Sequence, residues 1–242
     1  MNCFTLQYNK WMMNSRLVVD KQEGLKEFSP GGLSPQPAPI RMMAKFFSWL
    51  FHPVFIPVLL VWFMLYRHPY LFAGFSDMDK TKVMIQAFVM FCFFPIVTVL
   101  LLKALKFISS FHLHTQKDRI IPLVACGIWY FWIWYVWRNL PDYPKASVQL
   151  TLAIWISASL ALLGNIIMKV SLHAISVGLM LCFMVLLALA GDLNLGIYLS
   201  MAFLITGITC TSRLIVSDHH PVEIYGGLVL GAASMLIAYF FA

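Results

Sequence analysis

Polar positions along this chain come in short clusters, and between the clusters lie apolar stretches of membrane length. Seven such stretches occupy residues 46–66, 83–102, 120–137, 148–168, 172–190, 195–210 and 222–242. About 20 apolar residues in helical form cross the hydrocarbon layer of a bilayer, and a buried strand is far shorter. The pattern therefore predicts an all-α, polytopic transmembrane helix bundle of about seven spans, filling residues 42–242. Residues 1–41 do not share it. They are polar and end in Ser29-Pro30-Gly31-Gly32 and Ser34-Pro35-Gln36-Pro37, turn-forming chemistry that predicts a disordered extension. The extension lacks the apolar core of a signal peptide, and a start at Met42 or Met43 would leave it dispensable for activity.

Within the spans, local chemistry predicts packing features. His52-Pro53 and Pro57 predict a kink in the first span. Gly227 and Gly231 form a Gly-x-x-x-Gly pair suited to close helix contact. Trp129, Tyr130, Trp132, Trp134, Tyr135 and Trp137, followed by Arg138, predict an aromatic belt at a membrane surface. Asn165 is expected to bond between helices or line a site.

Composition agrees with the pattern: 61% of residues are hydrophobic and only 11% charged, against roughly a quarter charged in soluble domains. A formal charge of +7 raises the question of nucleic acid. The basic residues sit at span ends, however, which points to membrane lipids or a phosphorylated substrate as partners and excludes nucleic acid. No obligatory protein partner is indicated. The five cysteines lack metal-ligand spacing and are expected to pack. His112 and His114 could hold zinc by spacing alone, but no Cys or carboxylate lies beside them, so no metal and no other cofactor is expected.

Three polar clusters carry the candidate chemistry. They are Lys117-Asp118-Arg119, Lys169-Val170-Ser171-Leu172-His173, and the run from Ser212 to Glu223. Starting from Arg119, spans three and four cross and return, and spans five and six do the same, so all three clusters fall on one face. In the last run, Arg213 offers a planar cationic fork for phosphate oxygens and His219 a nucleophile or proton carrier. Pro221 suits the first position of a helix, and Glu223 lies four residues past His219, where its carboxylate can face the imidazole.

The Ser212-Arg213, five residues, His219, three residues, Glu223 run resembles the third signature of the type 2 phosphatidic acid phosphatase (PAP2) superfamily, with Glu in place of the usual Asp. Ser171 and His173 match its second signature, Pro-Ser-Gly-His, with Val170 and Leu172 replacing Pro and Gly. The first signature, Lys, six residues, Arg-Pro, is represented by Arg119 alone. Pro122 follows two residues late, His112 stands at the Lys position, and Lys117 is the nearest substitute cation.

The resemblance implies a PAP2-like core and a metal-independent phosphatase acting on a phosphorylated lipid, of polyprenyl diphosphate or phosphatidate type. It implies His219 as the nucleophile that becomes phosphohistidine, Glu223 as its orienting partner, and His173 as the proton donor and later the base. Arg213, Arg119, Lys117, Ser171 and Ser212 would bind the phosphate.

Non-catalytic readings also exist for these residues: Ser171 as a helix cap and His173 as an interfacial side chain. Other functions compatible with the motifs are a lipid phosphotransferase, a transport protein, or a phospholipid-binding protein without turnover. Transport sites usually sit near the midplane, whereas these clusters sit at span ends. Twelve of the 17 Lys and Arg residues fall on the motif face, which by charge count would be cytoplasmic. The resemblance instead implies an active site facing the periplasm or a lumen, in a multi-pass protein of the cell's inner membrane.

Overall fold

The computed structural model describes residues 17–20, 24–27, 37–107, 116–191, 193–216 and 220–242. It opens with a short antiparallel hairpin, β1 (Leu17–Asp20) and β2 (Gly24–Glu27), within the segment expected to lack structure. Among the described residues, every regular element after it is a helix. The helices are α1 (Ala38–Leu50), α2 (Phe55–Tyr66), α3 (Asp77–Phe88), α4 (Phe94–Ala104), α5 (Gln116–Arg138), α6 (Lys145–Ile167), α7 (Leu172–Leu189), α8 (Gly196–Val216) and α9 (Pro221–Phe241).

Among the described residues, six helices are long and apolar enough to cross a membrane, α3 and α4 counting as one of 28 residues. The bent pair α1–α2 is a seventh if it forms a single broken span. The outer surface is correspondingly apolar: Ile167 is 83% exposed and Phe241 82%. A water-soluble bundle would put polar residues there. A multi-pass membrane protein accounts for this surface.

The predicted kink at His52-Pro53 is a break at residues 51–54, across which α1 and α2 differ in direction by 59°. A second proline shapes the next span. Pro95 has no N–H to give and its ring crowds the carbonyl four residues earlier, and here a π-helical turn, Val89–Phe93, separates α3 from α4. The aromatic run on α5 divides in two. Trp132 and Tyr135 face outward, but Trp137 is fully buried and its indole donates to Gln86 Oε1 at 2.8 Å. Trp129 donates to Thr98 Oγ1 at 3.1 Å, and Trp134 stacks on Trp155 at 5.9 Å. Half of the expected belt is therefore helix-to-helix packing: the Trp129 and Trp137 indole N–H groups find partners on neighbouring helices, and Trp134 contributes its ring face.

The contact that matters most for the site is between α7 and α9. A Cβ on Gly227 would come within 2.8 Å of the Ser171 carbonyl oxygen, and one on Gly231 would collide with the Ile175 carbonyl. The Gly-x-x-x-Gly pair thus does what its spacing predicts, letting two backbones touch. Because Gly227 lies four residues past Glu223, the same contact sets the start of α9 against the start of α7.

Candidate functional site

Glu223 sits in the first turn of α9 and shows how local sequence builds the site. The helix begins at Pro221, whose fixed φ suits that position, and His220 is its N-cap in extended conformation. The Glu223 carboxylate reaches back so that Oε2 accepts from the His220 backbone N–H at 3.2 Å. This is the carboxylate half of a capping box. The expected pairing of this carboxylate with the His219 imidazole falls on a residue outside the described ones. Among the described residues the carboxylate is anchored on His220, the neighbour of His219. Glu223 is only 7% exposed, so its charge is held where water screens it little.

Two interactions tie Glu223 to the other clusters. Its backbone carbonyl accepts from the Ser171 N–H at 3.2 Å, and its charge acts on the Arg119 guanidinium. Arg119, 6% exposed at the start of the third span, donates from Nη1 to the Val170 carbonyl at 2.8 Å. Residues 119, 170–171 and 223, far apart in the chain, therefore meet at one end of the bundle, as the span parity predicts.

Ser171 is fully buried and caps α7, its Oγ accepting from the Ala174 N–H at 3.5 Å. That is the capping role the sequence offers as the alternative to phosphate binding. The cap uses a lone pair, so the hydroxyl hydrogen is not consumed by it. His173 is the second residue of α7. Its Nε2 is 3.1 Å from the Ser48 carbonyl, and its ring meets His52 edge-on with centroids 5.2 Å apart. Arg213, near the end of α8, acts through its charge on His52. Ser212, its neighbour, is turned by the helical step toward α1 and lines a groove with Ala44 and Phe47. It is therefore separated from the Arg213 direction, because consecutive helical residues point about 100° apart. Asn165 is buried near the same end of α6.

His219 lies outside the described residues, as do His112, His114 and the Lys117 side chain. Ser48 and His52 are the site residues that the sequence motifs leave out. His52 is read there only as part of a kink, although its place on the motif face beside a helix-breaking proline marks it. A cavity of about 480 Å³ lined by His68, Gln149 and Tyr239 lies at the opposite end of the bundle, away from all of these groups.

Chemically, the arrangement offers two guanidinium groups and two imidazoles around a capped helix start, with one carboxylate among the described residues of the cluster. Such a set suits an anionic group that accepts hydrogen bonds and undergoes proton transfer. No family model, curated protein or solved structure matches the chain.

Proposed function

We propose that the protein is an integral-membrane lipid phosphatase of PAP2 type, hydrolysing a phosphate monoester or diphosphate of a lipid without a metal ion. The observation that carries this reading is the convergence of the three signature segments: hydrogen bonds join Arg119 to Val170 and Ser171 to Glu223, and the Glu223 charge acts on Arg119. Motif residues that matched by chance would have no reason to be joined in this way.

In this reading Arg119 and Arg213 hold the phosphoryl oxygens and offset charge in the transition state. A nitrogen of His219 attacks phosphorus, and the bond from phosphorus to the lipid oxygen breaks as His173 gives that oxygen a proton. Water then attacks the phosphohistidine while His173 takes its proton. The P–N bond breaks, releasing inorganic phosphate and restoring His219. Glu223, capping His220, fixes the backbone that carries His219. Lys117, Ser171 and Ser212 are the remaining candidates for phosphate contact, with Ser171 and Ser212 also supporting the helix starts and helix contacts around it. The site at the ends of apolar spans favours a substrate with a phosphate head and a lipid tail. We assign the motif face to the periplasm or a lumen, giving the resemblance more weight than the charge count.

The test is phosphate release by the purified protein in detergent from a polyprenyl diphosphate, a phosphatidylglycerol phosphate and a phosphatidate, with EDTA present. The reading expects release from at least one lipid in EDTA and none from His219→Ala. Folded protein that releases phosphate from no lipid, or only without EDTA, contradicts it.

A further inference from the structure

The break between α1 and α2 forms a wall of the site that none of the three signature segments supplies. At its start, the Ser48 carbonyl lies 3.1 Å from His173 Nε2. A carbonyl oxygen can only accept, so the hydrogen is on Nε2 and the basic lone pair of the neutral ring is on Nδ1. The last turn of α1 thereby selects the tautomer and orientation of His173, the service a second-shell partner commonly gives a working histidine.

His52 stands in the break itself. Its ring is edge-on to His173, with 81° between the planes. The Val54 N–H donates to His52 Nδ1 at 3.4 Å, so in the neutral ring the hydrogen lies on Nε2. Arg213 acts on the same ring through its charge. His52 thus puts an N–H donor beside His173, within reach of the Arg213 charge. A phosphate dianion there would accept from His52 Nε2–H and the Arg213 guanidinium, and from His173 only when that ring is protonated on Nδ1.

We propose that His52 is a substrate-binding residue, its Nε2–H donating to a phosphoryl oxygen that Arg213 also holds, while the Ser48 carbonyl sets the tautomer of His173. The proposal rests on the phosphatase reading above and adds to it a contribution from the first helix pair.

Two substitutions separate the hydrogen bond from the packing. His52→Phe keeps an aromatic edge against His173 but removes the N–H, and His52→Gln keeps an N–H donor. Each is compared with wild type for phosphatidate hydrolysis in detergent and for the rise in melting temperature caused by inorganic phosphate. His52→Phe is expected to raise KM about tenfold and to lose most of the phosphate-induced rise, as deletion of one bond to a charged group predicts. His52→Gln is expected to keep both within about threefold. A His52→Phe enzyme with wild-type KM and an intact phosphate response overturns the proposal. So does an equal fall of kcat in both variants with KM unchanged, which would make His52 a packing residue. If His52→Phe does not yield folded protein, His52→Leu takes its place in the same comparison. Wild type that responds to phosphate but hydrolyses no lipid sinks the phosphatase reading alone, and the phosphate response then decides on His52. Wild type that does neither sinks both.

Discussion

The Nη1 of Arg119 donates to the carbonyl of Val170 at 2.8 Å, across 51 positions of sequence. That bond fastens the start of α5 to the turn before α7, and the nearby Glu223 charge extends the tie to α9. Arg119 is thus both a structural clamp and a candidate phosphate ligand. Replacing it with Ala is expected to lower stability by about 3 kcal/mol, since a buried carboxylate loses its compensating charge. Arg119→Lys keeps the charge but not the fork, and should retain most stability while lowering kcat/KM at least about tenfold. Thermal melts and lipid hydrolysis on both variants check this pair of outcomes.

Glu223 supports a helix start and carries a charge, and the two roles separate by substitution. Glu223→Gln keeps an oxygen acceptor for the His220 N–H and removes the charge. It is expected to lose about 3 kcal/mol, because the buried Arg119 guanidinium loses its compensating charge, and about tenfold or more in kcat. Glu223→Ala removes the acceptor too, and should add about 1 kcal/mol of destabilisation. A Gln variant with full activity would show that the carboxylate serves only as a cap.

The α7–α9 contact makes a stability prediction that is independent of chemistry. Gly231→Ala places a methyl against the Ile175 carbonyl, and should cost about 1–3 kcal/mol by overpacking. Gly207→Ala, where a Cβ meets nothing within 4 Å, should be neutral or slightly stabilising. Melting in detergent compares the two directly. Equal effects at both positions would contradict the close packing.

Much of this was legible in the sequence, and the reason differs by residue. Gly227 and Gly231 announce their contact because only the absence of a side chain lets helix backbones touch. Pro221 announces the start of α9 because its φ is fixed, and His52-Pro53 announces the break. Span parity brings Arg119, Ser171 and Glu223 to one end, since it needs only the count of crossings. The contact of Ser48 with His173 spans 125 positions. It depends on the 59° angle between α1 and α2, which no local pattern encodes. The anchoring of Glu223 on His220 was hidden for another reason. A carboxylate at the third position of a helix can turn back onto the cap's N–H, and the four-residue spacing to His219 does not reveal that turn.

His68, in the loop after α2 and outside the spans, offers a pH prediction. Its Nδ1 accepts from the Leu71 N–H at 3.2 Å, and burial lowers its pKa from the ordinary 6.5. A lowered histidine pKa means the fold prefers the neutral ring. The stabilisation is complete above pH 6.5 and is lost as pH falls from there through the folded-state value. The melting temperature of wild type should therefore exceed that of His68→Ala at pH 7.5, and the gap should narrow as pH falls below about 6.5. A gap that widens on acidification would contradict the neutral assignment.

The central claim is that His219 becomes phosphorylated within a site built by the three joined segments. Its most direct test is to mix the protein with lipid carrying a labelled phosphate, quench in alkali and locate the label by peptide mapping. The account predicts alkali-stable, acid-labile label on the peptide containing His219, more of it in His173→Asn, and none in His219→Ala. Turnover with no labelled protein in either wild type or His173→Asn, or label on a peptide without His219, would contradict it.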